Sequence, residues 1–232
     1  MNLVIRDAVD LRAAGRPVIG TVYGALLNFR DALDALGDAM EKPPYKAPPR
    51  APVLYMKPRN TFAVHDAAIA VPRGESALAM GGTLGVVIGR VACRVRESDA
   101  LSHVAGYTIA NDVSIAHDSL YRPSIRQKCG DGFLPIGPRI VARDRIADPN
   151  DVTIDVAVDG ISRQRASTRG LVRPIGKLLA DVTEFMTLMP GDVLLVGVAA
   201  NPPLAHAGQC VSVTIEGIGT LANSLVAVET PS

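Results

Sequence analysis

Apolar residues in this chain fall into short runs, most of them too brief for helices and bounded by Gly, Pro, Asn or Asp. Residues 104–110 and 133–141 are nearly continuous apolar segments, which predicts two buried strands. Strands are also expected at 18–25, 53–57, 152–158, 192–198, 209–216 and 219–221. Residues 77–95 read as a strand pair or one bent strand, kinked by Gly81, Gly82, Gly85 and Gly89. Asp159-Gly160 suits a hairpin turn, and Pro190-Gly191 the middle of a type II turn.

Helical spacing is scarce. Leu171, Ile175, Leu178, Leu179, Val182, Phe185 and Met186 share one face of a helix expected to start after Ser167 or Thr168. Lys177 and Asp181 lie four apart on its wet side, and Glu184 reads as surface. Asn28 is placed to cap a short helix running to Leu36, and residues 98–101 suit a single turn. Five prolines between residues 41 and 52 predict an extended surface loop. Residues 1–17 form a peripheral arm with some helical pattern, leaving 18–232 as a single domain. The fold class expected is mainly β with a few helices, without the βα alternation of a nucleotide-binding sheet.

Charge and cysteine content narrow the function. The formal net charge is +1, so no broad field points to nucleic acid or a membrane surface. No run of apolar residues is long enough to span a bilayer. Arg6, Asp7, Asp10 and Arg12 interrupt the first twenty residues, so no secretory signal is expected. Cys93, Cys129 and Cys210 are odd in number and widely spaced, which suits a reducing cytoplasm. Cys129 has no nucleophile pattern around it and reads as an incidental thiol.

Between the two apolar runs lies a loop crowded with polar groups: Asn111, Asp112, Ser114, His117, Asp118, Tyr121, Arg122, Arg126, Lys128 and Asp131. A long ionisable loop held by strands is a place for binding or catalysis. Taken alone, Lys57 reads as a solvated strand end. Arg122, Arg126 and Asp131 read equally well as ion pairs fixing the loop or as contacts to an anionic substrate.

The runs GYTIANDVS and KCGDGFLPIGP resemble the signature of the fumarylacetoacetate hydrolase superfamily. LLNFRDAL, PPYKAP, VLYMKPRNT, GVVIGR, DVTEFMTLMPGDVLL and GIGTLANSLV extend the likeness over nearly the whole chain. Within the family, the likeness is to the amino-terminal half, or separate amino-terminal subunit, of the homoprotocatechuate-pathway isomerase/decarboxylases. The resemblance implies a mixed β-sandwich or β-roll fold and a Mg2+ or Mn2+ ion held by three carboxylates. Such an ion chelates a 2-oxo acid and stabilises its enolate. Asp112 matches one ligand, whereas the family's Glu-x-Glu positions fall on Gly81 and Thr83. Gly197-Val198-Ala199 replaces a family Gly-Thr-Pro, and Ala32 stands at a family histidine.

By the same resemblance, Lys57, Lys128 and Asp131 are the catalytic candidates, and Asn60, Arg122 and Arg126 the substrate contacts. His117 falls where relatives vary and is not carried over, although an imidazole suits proton transfer. The implied substrate is a small 2-oxo or 2-hydroxy di- or tricarboxylate. The implied reaction takes 5-oxopent-3-ene-1,2,5-tricarboxylate to 2-hydroxyhepta-2,4-diene-1,7-dioate and then to its oxo isomer. The thinned ligand set also suits a structural partner of a metal-bearing homologue, as a heterodimer with a carboxyl-terminal subunit; a homodimer is the default otherwise. An acylpyruvate-type C–C hydrolase is the weaker alternative.

Overall fold

The chain forms two facing sheets, and its most apolar segments are inner strands of the larger one. A computed structural model of the chain describes Leu3, residues 8–10 (backbone only), 19–117, Leu120 and 124–228. Among the described residues the strands are β1 (Ala8–Asp10), β2 (Val22–Leu26), β3 (Val53–Lys57), β4 (Phe62–Ala63), β5 (Ala68–Val71), β6 (Leu78–Ala79), β7 (Gly82–Ile88) and β8 (Val104–Asn111). They continue as β9 (Leu134–Ala142), β10 (Thr153–Val158), β11 (Ile161–Ser167), β12 (Val193–Leu195), β13 (Leu204–Ala205), β14 (Cys210–Ile215) and β15 (Gly219–Ala227). The α-helices are α1 (Arg30–Asp34), α2 (Ile125–Lys128) and α3 (Ile175–Thr183).

The larger sheet has the order β1-β9-β8-β7-β12-β2-β3, with β4 alongside β9. The second has the order β11-β10-β14-β15-β5, and β13 pairs with β6 separately. Strands β7 and β8 are buried along their whole length, being covered on both faces. The second sheet packs on them so closely that a Cβ on Gly82 would stand 2.5 Å from Val156 Cγ2. Any larger residue at this position would push the sheets apart.

The mainly β expectation holds, and most differences lie at element ends. Helix α3 starts at Ile175, because Ser167 caps a 3-10 turn (Thr168–Gly170) and Leu171 forms a β-bridge with Phe29. Pro174 takes the N-cap position of α3, and Phe185 lies beyond its end, exposed. Asn28 caps nothing, since Phe29 is the N-cap of α1. Its buried side chain instead donates to Val196 O at 2.9 Å and accepts from Arg173 N at 3.0 Å, joining β12's end to the segment before α3. Strand β12 stops at Leu195, short of the 192–198 expected, while Asp192 accepts from the N–H groups of Thr21 and Met189. In the amino-terminal arm, Ala8–Asp10 is extended and pairs antiparallel with β9, so no helix forms there. Most of the remaining arm lies outside the described residues. No helix among the described residues is long and apolar enough to cross a membrane.

Candidate active site

Three elements converge at the end of β8. Side chains two apart on a strand share a face, so β3 presents Tyr55 and Lys57 on one side. Asp112 follows the last residue of β8, and Lys128 is the last residue of α2. Asp112 lies between the two lysines: Lys57 Nζ is 2.8 Å from Oδ1, and Lys128 Nζ 2.7 Å from Oδ2. The Tyr55 hydroxyl also donates to Oδ2. Lys128 Nζ sits 4.6 Å from the centroid of the Tyr55 ring, within cation–π range.

Lys57 is the anchor of the group. Its ammonium donates to the carbonyls of Val113 (3.1 Å), Lys128 (2.6 Å) and Phe133 (2.8 Å), which come from both ends and the middle of the loop. Three carbonyl acceptors take three protons, so this geometry requires the charged form. Burial lowers the pKa of Lys57, and the charge of Asp112 opposes that shift. For Asp112, burial raises the pKa, but Lys128 and then Lys57 outweigh it and hold the carboxyl well below its usual range. Burial, followed by the Asp112 charge, pushes the Tyr55 phenol well above its ordinary value, so it stays a donor.

A cavity of about 520 Å³ opens on this cluster. Tyr55, Asp112, Ser114, His117, Lys128 and Asn201 supply its polar wall, and Ala25, Leu36, Val198 and other apolar residues supply the rest. Asp112 and Lys128 line the cavity and Lys57 lies behind them, so two ammonium groups and one carboxylate leave one net positive charge beside it. That charge suits an anion.

Residues 21–226 match the family described as fumarylacetoacetate (FAA) hydrolase C-terminal. The chain belongs to the fumarylacetoacetate hydrolase family. It is 38% identical over 208 residues to the 4-hydroxyphenylacetate degradation bifunctional isomerase/decarboxylase of Salmonella dublin, covering 90% of this chain and 47% of that protein. The chain thus spans about half the length of that curated relative. The crystal structure of 2-hydroxyhepta-2,4-diene-1,7-dioate isomerase from Mycobacterium marinum is similar at 30% identity and TM-score 0.75, covering 92% of this chain and 77% of that one. Fumarylpyruvate hydrolase from Pseudomonas aeruginosa, solved in complex with Mn2+ and pyruvate, shares the fold at 23% identity and TM-score 0.79, covering 90% and 91%.

This fumarylacetoacetate hydrolase family member has a poor donor set for the ion its family implies. Both oxygens of Asp112 face ammonium groups. At one Glu-x-Glu position, a Cβ on Gly81 would lie 2.7 Å from the Asp112 carbonyl oxygen and 2.9 Å from Val198 Cγ2, so no side chain fits. At the other, Thr83 Oγ1 donates to Gly197 O at 2.5 Å and is buried. Among the described residues, no group of three or more His, Cys, Asp or Glu is arranged to hold a metal. A divalent cation does not fit the site that the described residues form.

The residues expected from sequence separate into two groups. Lys57, Asp112 and Lys128 come together. Asn60 and Asp131 are exposed away from the cavity wall, where Asn60 Nδ2 donates to Asp131 Oδ1 at 2.8 Å and to Cys129 O at 3.0 Å, pinning the loop. Arg126 is also exposed, with Nη2 4.0 Å from Glu75 Oε1, and Arg122 lies outside the described residues. Tyr55 joins the site although no sequence motif assigned it a role, and its spacing of two from Lys57 places it on the same face.

Proposed function

We propose that this chain is an isomerase/decarboxylase module of 4-hydroxyphenylacetate catabolism that binds a 2-oxo or 2-hydroxy di- or tricarboxylate without a divalent ion. The observation that carries this reading is the cluster of Asp112 with Lys57 and Lys128 at the cavity floor. Lys128, at the wall, lies where a substrate carboxylate or enolate oxygen would meet it. An ammonium next to a developing enolate stabilises negative charge as it forms. Lys57 holds the loop and, through Asp112, sets the orientation of Lys128. The named activities of the Salmonella dublin and Mycobacterium marinum relatives supply the reaction class.

The test is turnover of 2-hydroxyhepta-2,4-diene-1,7-dioate by the purified chain in chelator-treated buffer. Turnover that is independent of Mg2+ and lost in Lys128→Met supports the proposal; turnover only on adding metal contradicts it. A second reading, a non-catalytic partner of a metal-bearing homologue, draws on the closed Gly81 position. It predicts no turnover alone and a tight complex with such a homologue.

A further inference from the structure

The reading above gives no role to the one imidazole of the described cavity wall. His117 lines the same cavity as Asp112 and Lys128. Its Nδ1 lies 2.9 Å from the carbonyl oxygen of Ile115. A carbonyl can only accept, so the proton of this bond sits on Nδ1. In the neutral ring the lone pair then belongs to Nε2. Nε2 is buried and has no hydrogen-bond partner among the described residues. A buried acceptor left unpaired is unfavourable and calls for an explanation, such as a ligand that donates to it. The loop has fixed the tautomer and left the other nitrogen without a hydrogen-bond partner among the described residues.

We propose that Nε2 of His117 is the proton-transfer group of this cavity, acting on the carbon next to the carbonyl of a bound 2-oxo acid. The proposal rests on the reading of the cavity as a 2-oxo acid site. In the step, an N–H bond forms at Nε2 as the C3–H bond of the substrate breaks. The C–H electron pair becomes the C2–C3 double bond, and the carbonyl π pair moves onto oxygen, where the Lys128 ammonium faces the enolate. The reverse step returns the proton to carbon and leaves the imidazole neutral. A dienol isomerisation uses the same enolate chemistry extended along a conjugated chain. Lys57 is unsuited to this task, since its protons are all engaged below the wall.

The test is solvent-deuterium exchange at C3 of 2-oxoadipate, followed by proton NMR, with oxalate affinity measured by calorimetry as the binding control. His117→Gln should slow exchange by at least about 100-fold, the lower end for a positioned acid or base, with oxalate affinity little changed. Added imidazole should restore part of the exchange in His117→Ala, which a merely structural role would not allow. Exchange by His117→Gln at close to the wild-type rate, or no exchange by the wild type, overturns the proposal. Exchange that depends on His117 in a chain inactive on the dienol supports it and sinks the isomerase reading alone. If neither variant folds, the 15N shifts of the wild-type imidazole decide: a change at Nε2 on adding 2-oxoadipate supports the role, and no change refutes it.

Discussion

Two clusters in this molecule each set one carboxylate between two cations, and their surroundings make them different devices. Along α3 and the segment before it, Asp181 meets Lys177 Nζ at 2.5 Å and Arg173 Nε at 3.2 Å; Lys177 is exposed, and Asp181 and Arg173 keep 23% and 15% of their side-chain surface in contact with water. All three residues lie within nine positions of sequence. At the end of β8, Asp112 meets Lys57 and Lys128 from separate elements, and the Asp112 side chain is 1% exposed. Water screens the first cluster and leaves it little to contribute. The second has given up hydration on three charges, so each depends on the others. The same ingredients make a surface decoration in one place and a site in the other.

Substitutions should separate the clusters sharply. Asp112→Asn leaves two ammonium groups facing a neutral amide and should cost about 3–5 kcal/mol of stability, read by urea denaturation. A loss as small as that of an exposed pair would show that the buried cluster is not interdependent. Gly81→Glu, which restores a family carboxylate in name, should cost about 1–3 kcal/mol through overpacking against the Asp112 carbonyl and Val198. It should confer no saturable Mn2+ binding in calorimetry; tight binding in a stable variant would break the argument from space.

Acid should also act unequally. The folded pKa of Asp112 is depressed, so its contribution is complete above its unfolded value of about 3.9. That contribution drains away as the pH falls from there towards the lower folded value. Melting temperature should therefore drop through this acid window, and the Asp112→Asn variant should lack that part of the drop. Lys177→Met should change the melting temperature least, and the change should vanish in about 1 M salt.

How much of this was legible in the sequence varied with the range of the interaction. Strand content followed from short apolar runs, as in residues 104–110 and 53–57, which the structure reproduces almost residue for residue. The cap of α1 and the start of α3 differ from the local pattern because Asn28 bonds to Arg173, 145 residues away, and Phe29 bridges to Leu171, contacts that no local pattern reveals. Lys57, Asp112 and Lys128 were found through the family motifs, but their mutual contacts depend on how β3 and the loop cross. Tyr55 could have been found from period two alone. His117 could not, because its value lies in a hydrogen bond to Ile115 and in the absence of one at Nε2 among the described residues.

The most direct test of the proposal that this cavity holds a 2-oxo acid without a divalent ion is calorimetric titration of oxalate into the chain in chelator-treated buffer. Saturable binding that is unaffected by added Mg2+ or Mn2+ and lost in Lys128→Met is the predicted result. Binding that appears only when the metal is added would contradict it.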